Sequence, residues 1–405
     1  MKKQIPALLT VISLFCAPAV GQQVQELMFM HYLTGADGFA LADLVERFNA
    51  EHPDIRVIAS TTPGMVEKLL VQSAAGAPPD IALAAPEMME VFASEGVLSP
   101  IDTRRFETLS VREDEYVPAA WESALYQGTL YGIPLGVGSI GLYINPAMFE
   151  EAGLQVAPPE TSDELLVAIR RLNRDTDGDG VWNIAGLEFP FNHDIYVAWY
   201  GIFKQFGGSI FDAGGNIAFD SPAGLESLER WTALWQENGL ALEPRRDFLL
   251  RQSAMTIRKA AARYNLVQSG VPYQSGPLPQ FGPQPGAWAG VQSIVIPKAE
   301  HSPQKLAAIY TFIEWLGGRG YEWAVELGHL PARWDVIRMP EILDSAHHYG
   351  FAVQSMYLHV LPTDPKFAQV GNILQPMVNQ AVRGNGAPKN LLEDAAQRAR
   401  AAIAP

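Results

Sequence analysis

The chain has 405 residues, 48% apolar and 18% charged, an ordinary globular composition with length enough for two domains with cores of their own. Its formal net charge is −15, which argues against nucleic acid and anionic membrane surfaces as partners.

The first residues carry Lys2-Lys3, a mostly apolar run over residues 5–16, and small residues at Ala19 and Gly21. That order is the pattern of a secretory signal peptide, residues 1–21, cleaved after Gly21. The apolar run is too short for a permanent span. Cys16 is the only cysteine. Phe15 before it suits lipoprotein processing poorly, and cleavage leaves no thiol for a disulfide or a metal site.

A buried strand is expected over residues 26–30, with His31 and Tyr32 in the loop at its end. Leu41, Leu44, Val45 and Phe48 follow a helical period up to His52-Pro53. A second strand covers 55–59, and a second helix carries Val66, Leu69 and Leu70 as far as Gly76. A third strand follows Pro79-Asp80. Strand and helix alternating across short loops predict a parallel sheet covered by helices. Ligands of such sheets sit beyond the carboxyl ends of the strands, here 31–35, 60–63 and 84–87, which brings Glu87 into view.

From Tyr126 to Leu154 the chain reads as a connector between two compact units. Pro134, Gly136, Gly138 and Gly141 interrupt an apolar run and supply flexible joints, and a short strand over 142–145 leads into a helical segment stopped at Gly153. Gly136, Gly138 and Gly141 also match a dinucleotide-binding pattern by letter. That chemistry needs a helix N-terminus after the glycines, and here a strand follows, so they read as hinge glycines.

Thr161 and Glu164 form a capping box ahead of Leu165, Ala168, Ile169 and Leu172. Asp175, Asp177 and Asp179 with Gly180 match the start of a calcium loop. The twelfth position is Gly186 instead of an acid, and Glu188 lies two residues beyond. Two readings stand, a structural calcium and a solvated Asp/Gly turn. Ser221-Pro222 opens another helix, ended by Asn238-Gly239. A short strand is expected over 253–257. Residues 271–286, rich in Pro, Gly and Gln, read as a surface loop. A second extended crossing covers 285–297, Ser302-Pro303 starts a strong helix, and the remainder is largely helical.

Taken in order, several pieces resemble the bacterial extracellular solute-binding proteins of family 1, the maltose-binding-protein type. They are Leu44 through Phe48 to Pro53 and Val57; Gly76 with Pro79-Asp80; Tyr126, Gly128, Tyr131 and Pro134 followed by Leu142, Asn145, Phe149 and Gly153; Gln205, Gly208 and Asp212; and Leu330 to Arg333. The resemblance implies a type II periplasmic-binding-protein fold, two α/β lobes joined by hinge strands around a ligand cleft. It places residues 22–134 and 290–316 in one lobe, and 135–289 and 317–405 in the other. It implies a periplasmic monomer that delivers a sugar or oligosaccharide to the permease subunits of an ATP-driven (ABC) importer, without catalysis and without a cofactor. Two departures bear on ligand identity. The first strand ends in His31-Tyr32 where relatives often carry Trp, and Ile257-Arg258-Lys259 stands where relatives often carry a small residue and an aromatic.

A sugar offers an apolar C–H face and a rim of hydroxyls, so its site needs flat aromatic faces and polar groups around them. There are nine Trp. Trp231, Trp235, Trp315 and Trp323 follow helix faces and read as core. Trp121, Trp199, Trp288 and Trp334 lie near crossings or loops and are the aromatic candidates. The polar candidates are His31, Tyr32, Glu87, Ser139, His193 and Asp194. Arg258 would add a fork for a carboxylate, which keeps an acidic sugar, a polyol or glycerol phosphate as alternative cargo. His-Glu-x-x-His and Gly-x-Ser-x-Gly are absent from the sequence, and the acids are too scattered to choose a glycosidase pair. A secreted carbohydrate-active enzyme stays as the alternative from another class.

Overall fold

The computed structural model describes residues 24–180, 182–188, 192–236, 246–326 and 328–404. The signal segment 1–21 and the helix stop at Asn238-Gly239 lie outside them. Among the described residues no helix is long and apolar enough to cross a membrane.

The architecture is two α/β lobes sharing two long strands. Strands β1 (Gln25–His31), β2 (Ile55–Thr61) and β3 (Ile81–Ala84) form the parallel centre of the first lobe. The short strands β4 (Leu98–Ser99), β5 (Leu125–Tyr126) and β6 (Thr129–Leu130) lead to β7 (Gly132–Ile144). Strands β8 (Met255–Lys259) and β9 (Gln274–Gly276) belong to the second lobe, followed by β10 (Ala287–Pro297), β11 (Leu330–Pro331) and β12 (Leu358–Val360). The main sheet runs β11-β7-β10-β3-β1-β2. Leu27, Phe29, Ile81 and Leu83 face Leu44, Phe48, Ile309 and Phe312 of two flanking helices, while Met30 and Ala82 face Met65, Leu69 and Phe92. The alternation along β1 follows from the period of a strand covered on both faces.

Strand β7 is where the lobes meet. Its first part pairs antiparallel with β10, from Gly132 against Val295 to Ser139 against Ala289. Its second part, from Ile140 to Ile144, pairs with β8 and β9 instead. Strand β10 likewise pairs with β3 through Ser293–Val295 and with β12 through Ala287–Ala289. The register slips between Gln292 and Ser293, beside Pro134. Proline has no N–H for the ladder, so a bulge there is the physical consequence.

Two expectations about the crossing need correction. It is one continuous buried strand from Gly132, longer than the segment 142–145. Its glycines serve close approach, since none of them has a positive φ. A Cβ on Gly141 would lie 2.7 Å from the Gly276 carbonyl oxygen and 2.9 Å from the Phe351 ring.

The second lobe packs around Trp199, Phe203, Trp231 and Trp235. Tyr116, Val117, Ala119 and Ala120 join this core although they precede the crossing in sequence. The helix Ser162–Leu172 carries the expected capping box, Thr161 Oγ1 accepting from Glu164 N at 3.2 Å and Glu164 accepting from Thr161 N. Thr161→Ala should lower stability by about 1 kcal/mol, read as a lower urea midpoint at constant slope. The expected strand over 253–257 runs instead from Met255 to Lys259. Residues 271–286 are no surface loop: Val271, Tyr273, Leu278 and Phe281 are buried. The buried Gln205 amide makes this polar backbone tolerable, donating to Pro279 O and Gly286 O and accepting from Phe281 N and Gly282 N.

Candidate functional site

The first lobe supplies three elements to the gap between the lobes. Tyr32 follows β1, Asp37 lies in the first turn of the helix Gly35–Glu51, and Glu87 lies in the first turn of the helix Pro86–Ser94. The second lobe answers with the helix Asn192–Gln205, carrying His193, Asp194 and Tyr196, with Lys259 at the end of β8, and with Trp288 on β10. A cavity of about 230 Å³ has walls from both lobes. Glu87 and Val91 line one side. His193, Tyr196, the Leu361-to-Pro365 segment, Phe367 and Gln375 are among the residues lining the other.

Lys259 Nζ lies 3.8 Å from Asp194 Oδ1 and 5.6 Å from the centre of the Trp288 ring. The His193 ring stands edge-on to Trp288 at 6.3 Å. These groups perturb one another as partly desolvated neighbours should. Burial pushes the Glu87 carboxyl up. Burial, reinforced by the charges of Glu87 and Asp37, raises the Tyr32 phenol. Burial and then Lys259 lower His193 to about 4, so it is neutral at pH 7. Burial lifts Asp194 despite Lys259 and Arg258 beside it. Burial also lowers Lys259, against the pull of Asp194 and Asp37.

Among the candidates read from sequence, Glu87 and His193 line the cavity, Trp288 adjoins it through the His193 ring, and Asp194 follows His193 on the same helix. Tyr32 feels Glu87 from the first lobe. The others sit elsewhere. His31 is 4% exposed at the end of β1, its backbone paired with Thr61. Ser139 is fully buried, its Oγ donating to Trp288 O at 2.7 Å and accepting from Gln354 Nε2 at 2.7 Å, which ties β7 to β10. Trp199 has no exposed surface and stacks on Phe203 at 5.2 Å, so it offers no face to a guest. Trp121 is half-buried beside Tyr116, and Trp334 is half-buried with the Arg338 guanidinium over its ring at 5.4 Å. Neither is among the residues lining the cavity.

Arg258 faces neither the gap nor water. It is 4% exposed, and Nη2 donates to both carboxylate oxygens of Glu188 at 2.7 and 2.8 Å. Its neighbour Lys259 is the cation that reaches the gap. Alternation along a strand puts adjacent residues on opposite faces, which is the signal that separates the two. Tyr196 stands one helical turn from His193, a relation that appears once the helix Asn192–Gln205 is known. Asp37, Asp364 and Gln375 had no local signal, because only the fold brings them close.

The carboxylates of Asp175, Asp177 and Asp179 converge within 4.8 Å of one another. Asp175 accepts from Gly178 N and Gly180 N. Glu188 is turned inward onto Arg258 and does not extend this set. Among the described residues, these three acids are the carboxylates gathered here, without the acid that a calcium loop carries at its twelfth position.

A family model described as bacterial extracellular solute-binding protein matches residues 34–323. A maltotriose-binding protein of Pyrococcus abyssi is 24% identical over 358 residues, 84% of this chain and 74% of that protein. An sn-glycerol-3-phosphate-binding periplasmic protein of Agrobacterium fabrum is 23% identical over 286 residues, 64% of this chain and 63% of that protein. The solved structure of the sugar-binding protein MalE from Xanthomonas citri superposes with a TM-score of 0.77 at 21% identity, over 93% of this chain and 97% of that one.

Proposed function

Because the chain belongs to the bacterial extracellular solute-binding proteins, we propose that it takes up a sugar or oligosaccharide between its lobes and presents it to an ATP-driven importer. The observation that carries this reading is the cavity walled by Glu87 and Val91 from one lobe and by His193, Tyr196 and Phe367 from the other. A guest there touches both lobes at once. It therefore favours the closed arrangement by the difference in contacts between closed and open states. Trp288 provides a flat aromatic face, while Asp194, Lys259 and Gln375 provide hydrogen-bonding groups for hydroxyls. Export through the leader 1–21 and residence in the periplasm complete the proposal, with the mature chain acting as a monomer. A phosphorylated or acidic cargo finds less support, since the Arg258 guanidinium is held by Glu188.

Calorimetry and melting shifts across a carbohydrate panel test this. A true ligand at a hundred times its Kd should add about 2.7 kcal/mol of stability. Silence to every carbohydrate, with a response to a peptide or an iron chelate, would overturn the substrate class. Recovery of shortened polysaccharide instead of the intact guest would assign a secreted enzyme.

A further inference from the structure

We propose that the guest carries a protonated amine, as an amino sugar or an aminated polyol does, seated between Glu87 of the first lobe and Asp364 of the second. The inference rests on the carrier reading above and narrows its cargo. Both carboxylates line the same cavity, and no lysine or arginine is among the described residues that line it. Of the lysines close in sequence, Lys204 donates to Gly208 O at 2.9 Å, and Lys366 meets Asp364 through its backbone N–H, which donates to Asp364 Oδ1 at 2.8 Å. Lys259 acts on His193, but Asp194 and Asp37 already oppose its charge.

Glu87 enters the cavity wall from the first lobe and Asp364 from the second. Glu90, three residues along the helix from Glu87, has its carboxyl raised by burial and by Asp364. Drawing the lobes together brings like charges closer in a medium of falling dielectric, which opposes closure. An ammonium placed between them reverses the sign of that term, so closure and cation binding become coupled. A separate observation points to a guest at this spot. Tyr196 lines the cavity, is 3% exposed, and its hydroxyl has no hydrogen-bond partner. A buried hydroxyl left unpaired is costly, and a ligand hydroxyl or amine would satisfy it.

The test is calorimetry on the full mature chain with paired probes. Glucosamine, galactosamine and mannosamine, and the glucosamine dimer and trimer, are each compared with the sugar that has a hydroxyl in place of the amine. At least one amine member should bind about tenfold or more tighter than its hydroxyl counterpart, the scale of one charge-assisted hydrogen bond. Glu87→Gln and Asp364→Asn should each shrink that preference about tenfold, with the hydroxyl sugar's affinity moving less. Hydroxyl sugars binding as tightly as their amine counterparts, or a preference that survives both substitutions, would overturn the amine and leave the carrier reading standing. Failure of every carbohydrate would overturn both.

Discussion

Arg258→Ala should lower the stability of this protein by about 3–5 kcal/mol, the usual consequence of removing one partner of a buried ion pair. Glu188 is 1% exposed and receives two hydrogen bonds from Arg258 Nη2, while Arg258 Nε donates to Thr256 Oγ1 at 3.2 Å. Truncation leaves a carboxylate in a place where water cannot replace the guanidinium. Lysine in place of arginine should also fail, because a single ammonium cannot reproduce the planar fork. The double substitution Arg258→Met with Glu188→Leu removes both charges and should recover most of the loss. Urea unfolding with an unchanged slope measures all three. A shift below about 1 kcal/mol for Arg258→Ala would mean that solvent reaches Glu188, contrary to the burial on which the prediction stands.

Trp288→Ala should weaken sugar binding about thirtyfold. The reasoning is one of area: half of a ~150 Å² ring covered by a pyranose, at ~25 cal/mol per Å², gives about 2 kcal/mol. Trp288 is half-exposed on β10, with Lys259 near its ring and His193 edge-on. Phenylalanine keeps part of the flat face and should lose less than alanine does. Calorimetry gives the affinities, and far-ultraviolet dichroism shows whether the fold survives. Unchanged affinity with an intact fold would make Trp288 a packing residue and would shift attention to Tyr196.

Periodicity made the frame of this molecule readable. Leu41, Leu44 and Phe48 were legible as one helix face, and Leu27 and Phe29 as a strand interior, because burial repeats locally with the period of the element. The crossing was legible in place but not in kind. Glycine is needed at Gly141 because Gly276 and Phe351 approach it, and sequence alone does not tell crowding from looseness. The site was half legible. Glu87 and Trp288 sit where a strand end and a crossing put them, and His193 opens the helix Asn192–Gln205. Trp199 looked equally suitable and belongs to the core, because an indole on a helix is equally at home against Phe203 or a sugar. Arg258 drew attention as the stronger anion binder, yet it has its own carboxylate 70 residues away in Glu188. Such a partner is set by tertiary contact, which no local pattern encodes.

The strand order β7-β10-β3 has a consequence for biogenesis. The parallel ladder of β1, β2 and β3 is translated early, but the strand that covers the far edge of β3 spans Ala287–Pro297. Until that segment leaves the ribosome, β3 presents unpaired amide and carbonyl groups, and the first hydrophobic layer cannot close. Closing it requires a loop of some two hundred residues, a slow event for a nascent polypeptide. The order of the strands thus postpones closure of this layer until most of the chain has been made.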